Sequence, residues 1–141
     1  VSAPIIPPDP ATDTIQTPEP FTTTFRFEWT KAPLSLNYRL HKMQEATIVK
    51  RIRGEMADRG RALPAMPRCD VVLTWVVNDR RKRDEENVVP VLKALCDGLV
   101  DAGVVPDDTP VFMVKHMPVI RFAPKREQPA HFELTVSEAA A

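Results

Sequence analysis

Apolar and polar residues alternate over Thr23–Thr30, with Phe25, Phe27 and Trp29 on one side and Arg26 and Glu28 on the other. That period of two predicts a strand with one face on a core. Lys31–Leu40, which holds Asn37, Tyr38 and Arg39, loses the alternation and reads as a loop. From Met43 to about Asp58 the period lengthens: Ala46, Ile48, Val49, Ile52 and Met56 recur at helical spacing, and Gly60 and Pro64 close the segment. Asp70–Asn78 is apolar on both faces, with Val71, Leu73, Trp75 and Val77 against Val72, Thr74 and Val76, so it predicts a central strand.

A charged loop, Asp79–Asn87, leads into a second helix over Val88–Ala102. Pro90 falls in its first turn, and Gly103 stands where a left-handed cap belongs. Val111–Phe122 and His131–Ser137 read as two further strands. The expected order is therefore β–α–β–α–β–β: an α+β, two-layer domain with a mixed sheet and two main helices. Residues 1–20 carry Pro4, Pro7, Pro8, Pro10, Pro18 and Pro20. Proline withholds backbone donors and fixes φ, so this stretch is expected to be a disordered proline-rich arm, with the folded domain at 21–141.

The chain has 141 residues, 43% of them hydrophobic, and a formal net charge of zero. One domain fits that length. The zero conceals an uneven distribution: net −3 over residues 1–25, +8 over 26–83 and −5 over 84–141. A basic segment joined to an acidic one suits a polyanion surface beside a cation pocket. Cys69 and Cys96 lack zinc-ligand spacing and cannot build a disulfide framework, so a reducing cytoplasm is the expected setting. No apolar run is long enough to span a bilayer, and the polar Val1–Pro20 does not read as a secretory signal.

The candidate chemistry concentrates in Asp79-Arg80-Arg81-Lys82-Arg83-Asp84-Glu85-Glu86-Asn87, where four bases stand directly beside three acids. Phosphodiester hydrolysis needs both: cations to hold the polyanion, and carboxylate oxygens of the kind Mg²⁺ prefers. A second acidic pair, Asp107-Asp108, follows the helix, and Lys93 on that helix stands four residues before Asp97. Each feature has a plainer reading. Acids at a helix start favour the dipole, Asp107-Asp108 before Thr109-Pro110 suits a turn, and Lys93–Asp97 is the spacing of a surface ion pair. Their order along the chain is what favours a functional reading. His41, His116 and His131 show no metal spacing, and Trp29 and Trp75 read as core.

The run 79–87, followed by Lys93-Ala94-Leu95-Cys96-Asp97-Gly98-Leu99 and by Asp101-Ala102-Gly103-Val104-Val105-Pro106-Asp107-Asp108, resembles the RusA-type Holliday junction resolvases. Trp29, Pro33 and Asn37 resemble that family's opening strand and loop more loosely. The resemblance implies a RusA-like fold and an Mg²⁺-dependent endonuclease, with Mn²⁺ as a substitute and no small-molecule cofactor. It implies a homodimer that resolves four-way DNA junctions by paired symmetric nicks in recombination and repair, in a bacterial or phage-infected cytosol. Cutting of other branched DNA, such as flaps and forks, or junction binding without cutting, are the alternatives.

On the same grounds the metal-holding carboxylates fall on Asp84, Glu86 and Asp108, and the catalytic lysine on Lys93. DNA contacts are expected from Arg80, Arg81, Lys82, Arg83 and Asn87, extended by Lys50, Arg51 and Arg53 of the first helix. One departure stands out: Glu86 occupies a position where the family pattern has Asp, which moves the carboxylate by one methylene.

Overall fold

A computed structural model describes residues 20–139; all of the proline-rich arm except Pro20 lies outside the described residues. Strand β1 spans Thr22–Phe27, helix α1 Lys42–Gly60, β2 Cys69–Val77, helix α2 Val89–Asp101, β3 Met113–Lys115, β4 Val119–Phe122 and β5 His131–Glu138. A single 3-10 turn, Glu85–Val88, precedes α2.

The five strands form one mixed sheet. Strand β2 is central, as its two apolar faces predict: it pairs antiparallel with β5 on one side and parallel with β3 and β4 on the other. On one face Phe27, Phe132 and Trp75 form a continuous cross-strand row, because β1 pairs Phe27 with Phe132 and β2 pairs Trp75 with Phe132. Phe132 and Trp75 stack with centroids 5.1 Å apart, and Trp29, just beyond β1, stacks on Phe27 at 4.5 Å. Leu73, Leu134, Val71 and Val136 continue the core, and the helices bury Ile52, Met56, Leu92, Leu95 and Leu99 in it. Such close-packed apolar burial contributes roughly 25 cal/mol per Å² removed from water and dominates the stability of this layer.

Helix boundaries follow local chemistry. His41 Nδ1 accepts the Met43 N–H at 3.2 Å while Gln44 Oε1 accepts the His41 N–H at 3.2 Å, a reciprocal cap that starts α1. At the other end of α2, Gly103 has φ +84°. The Gly103 N–H donates to Val100 O at 2.9 Å and the Val104 N–H to Leu99 O at 3.1 Å, which is the Schellman pattern. Gly98 lets the helices touch: a Cβ there would lie 2.6 Å from Arg53 O and 2.6 Å from Met56 Cβ.

Two expectations need correction. The 3-10 turn takes the first residues of the charged-loop exit, so α2 begins at Val89 rather than Val88. Val111–Phe122 is two strands, not one. Val71 faces Lys115 and Thr74 faces Val119, so three residues, His116–Pro118, stand opposite two on β2. The extra residue interrupts the ladder as a bulge does, and Pro118 has no N–H to restore it. Among the described residues no helix is long and apolar enough to cross a membrane.

Candidate active site

The segment after β2 leaves the sheet through a set of side-chain ties. Asn78 donates to Ala123 O at 2.9 Å and Gln128 O at 2.8 Å, and accepts from Ala130 N at 2.9 Å, fastening the β4–β5 connection to the end of β2. Asp79 then gathers two of the following bases: Arg83 Nη1 lies 2.8 Å from its Oδ1 and Arg81 Nη2 3.4 Å from its Oδ2. The hydrogen bond from Arg83 holds the Asp79 carboxyl below the usual carboxylate range, aided by the Arg81 backbone N–H.

The four consecutive bases therefore differ in surroundings. Arg83 is folded inward, its side chain 19% exposed and its guanidinium 5.2 Å from the Trp75 ring centroid. Arg80 lies 4.0 Å over Phe122. Arg81 is 81% exposed and Lys82 is exposed on the rim. On α1, Lys50 and Arg51 are exposed, whereas Arg53 grips Asp101 of α2 through two bonds, one of them Nη2 to Oδ1 at 2.8 Å. That pairing raises the Arg53 pKa above its ordinary value. It joins the helices and leaves Arg53 less available to a phosphate than its two neighbours.

Asp84 caps the 3-10 turn, its Oδ1 accepting the Glu86 N–H at 3.1 Å. Glu85 and Glu86 occupy that turn and are exposed. Asn87 is tied through its backbone: its N–H donates to Asp84 O at 3.1 Å and its carbonyl accepts from Leu36 N at 3.0 Å. The second bond docks the Lys31–Leu40 loop on the acidic turn. Between the two lies a cleft of about 500 Å³ whose lining includes Asn37, Tyr38, Trp75, Lys82, Arg83 and Asp84.

The second acidic segment comes back to α2. Lys93 Nζ lies 2.9 Å from Asp108 Oδ2 and 3.1 Å from Asp97 Oδ1. The sequence spacing predicted the Asp97 partner; the Asp108 partner is a tertiary contact. Lys115, which sequence reasoning did not single out, lies 3.0 Å from the same Asp108 oxygen. Its partner across the ladder is Val71, buried on the helix-covered side, so Lys115 shares that side and meets Asp108. A lone lysine in an apolar strand shortly after an acidic pair was the available signal. Hydrogen bonds from Lys93 and then Lys115 pull the Asp108 carboxyl down to about 2, and Lys93 is raised by its hydrogen bonds to Asp108 and then Asp97.

These carboxylates suit Mg²⁺ by donor type, since they offer hard oxygens, and the lowered Asp108 is ionised across the physiological range. Among the described residues, however, no three His, Cys, Asp or Glu side chains gather closely enough to hold a metal ion. Asp84 and Glu86 stand on one turn, and Asp108 stands with its lysines. Cys69 and Cys96 are buried, and burial pushes their thiols up to about 11 and about 12, which suits packing and not nucleophilic chemistry. No protein-family model matches the chain, and no curated protein matches it.

Proposed function

We propose that this protein is a structure-specific DNA endonuclease of the RusA type that resolves four-way junctions as a homodimer. The observation that carries the reading is the meeting of Lys93 with Asp108, 2.9 Å apart, across fifteen residues of chain. It joins two parts of the sequence pattern that helical spacing alone would leave apart, on the helix that the Asp84 turn leads into. The exposed bases Arg81 and Lys82 stand immediately before that turn, where a backbone phosphate beside the carboxylates would need them.

In this reading Asp84, Glu86 and Asp108 would hold Mg²⁺, which would supply Lewis-acid polarisation of the phosphoryl group and of the attacking water. Lys93 and Lys115 keep Asp108 ionised, and an incoming phosphate competes for their ammonium groups. Lys82 and Arg81 grip phosphates, with Lys50 and Arg51 extending the basic surface along α1. Arg80, Arg83 and Asn87 shape the loop through Phe122, Trp75 and Leu36 respectively. Closing the three carboxylates on one ion calls for side-chain and loop movement on binding.

The test is cleavage of a synthetic mobile four-way junction with Mg²⁺, wild type against Asp84→Asn. Symmetric paired nicks by wild type, lost in a variant that still binds, is the expected result. Cutting of forks or flaps in preference to the junction would reassign the substrate. Tight junction binding with no cutting would make the protein an architectural junction binder, and absence of junction binding at low salt would overturn the reading altogether.

A further inference from the structure

The cleft between the Lys31–Leu40 loop and the acidic turn has a composition that gripping a DNA backbone does not require. Its volume of about 500 Å³ is small-ligand scale. A second concavity of about 520 Å³ shares Tyr38, Trp75, Lys82 and Arg83 with it. Trp75 is a rigid wall, braced by its stack on Phe132 at 5.1 Å and overlain by the Arg83 guanidinium at 5.2 Å. Its Nε1–H is buried behind that wall, without a hydrogen-bond partner among the described residues, so the ring meets an occupant through its carbon surface. Tyr38 is 43% exposed, yet its hydroxyl donates to Ala32 O at 2.7 Å, which fixes the ring's tilt and leaves an aromatic surface for an occupant. Asn37 and Asn87 are among the lining residues, and Lys82 stands on the rim.

Several ligand classes fit poorly. A double helix is far too wide for the cleft. A bare phosphate has no use for aromatic walls and meets Asp84 and Glu85 in the same lining. An aliphatic ligand leaves the asparagines and cations without a purpose. A single nucleobase uses all of them: a π face for Tyr38, polar edges for the asparagines, and a flanking phosphate for Lys82.

We infer that the cleft is a subsite for one nucleobase swung out of the DNA strand beside the Asp84 turn, stacked on Tyr38 and edge-read by Asn37 and Asn87. The inference rests on the proposed action on branched DNA. A branch point is where such a base is available cheaply, because its stacking is already interrupted. The subsite would set which base stands next to the cut.

The test is photocrosslinking of the full chain, without Mg²⁺, to four-way junctions carrying 5-iodouracil at single positions around the branch. Adducts are mapped by mass spectrometry. The expected result is a position-specific adduct within residues 32–39 that is lost in Tyr38→Ala and kept in Tyr38→Phe. Junction affinity should fall about tenfold in the alanine variant, the scale of one lost base–aromatic stack. Free 5-iodo-deoxyuridine monophosphate is the comparison arm. If it labels 32–39 and the junction does not, the cleft takes nucleotides rather than strand bases, and the inference is overturned. A bound junction that never labels 32–39 overturns it too, with the DNA reading left standing. A junction that does not bind at all removes the DNA reading itself.

Discussion

Two acidic segments flank α2 in the chain, one before it and one after it, and they are built in opposite ways. Asp84, Glu85 and Glu86 lie exposed on a 3-10 turn at the edge of a cleft, and within the turn the Asp84 carboxylate is engaged by one backbone N–H. Asp108 is 19% exposed and holds two lysines with one oxygen. One segment has carboxylates ready for a new ligand; the other is already neutralised. Residue type alone does not assign a role to an aspartate: the cations within about 3 Å decide whether it attracts a metal, a lysine or nothing. If the segments act together, the lysines that hold Asp108 are also its regulators.

The largest effect should come from the exposed side. Asp84→Asn is expected to lower junction cutting by more than about a hundredfold, about 2.7 kcal/mol of barrier, with binding retained. Equal loss from Asp84→Asn and from an exposed acid outside the turn, such as Glu127→Gln, would erase the contrast. Next is the helix that both segments share. Gly98→Val forces a side chain into Arg53 O and Met56, and overpacking of this kind costs about 1–3 kcal/mol. A thermal melt should fall by roughly 4–12 °C.

On the neutralised side, Lys93→Met should reduce cutting about tenfold, about 1.4 kcal/mol of barrier. It should also raise the Asp108 titration from about 2 toward the ordinary 3.8, readable by carboxyl NMR. The sign for stability follows. A carboxyl lowered by folding stabilises fully above its unfolded value, and that stabilisation is lost as pH falls through the folded value. The stability gap between wild type and Lys93→Met should therefore be constant above about pH 4 and close as pH falls through about 2. Lys93 is well exposed, so the gap itself should be only about 0.2–1 kcal/mol. A gap that widens in acid would mean the pair is not what lowers Asp108. The smallest effect is that of Arg81→Ala, which should reduce the slope of log affinity against log salt by about one while leaving cutting geometry unchanged.

Much of the frame was legible before any coordinates. Apolar residues on both faces of Asp70–Asn78 predicted a central strand, and β2 is that strand. Gly103 after the second helix could be read as its cap, because a left-handed residue is needed there and glycine adopts it without a Cβ clash. The strand split at His116–Pro118 was signalled in the sequence only by Pro118, which cannot donate to a ladder. Val111–Phe122 is apolar enough for one strand, and the extra residue is visible only when its register is set against β2. Trp75 was read as core. It does pack on Phe132, but it also walls a cleft that exists only once the Leu36–Asn87 bond brings two loops together.

By itself, then, the sequence determined what depends on near neighbours: the periods of strand and helix, the caps, the Lys93–Asp97 pair and the clustering of acids beside bases. Only the tertiary structure decided which distant charges meet. Lys93 and Lys115 converge on Asp108, Arg53 is engaged by Asp101, and Asp84 and Glu86 are left exposed. The reason is physical. A hydrogen-bonded period repeats every few residues and leaves its imprint in the local pattern. A contact across fifteen or forty-eight residues depends on how helices and strands stack, and that is settled by the core rather than by the charges it brings together.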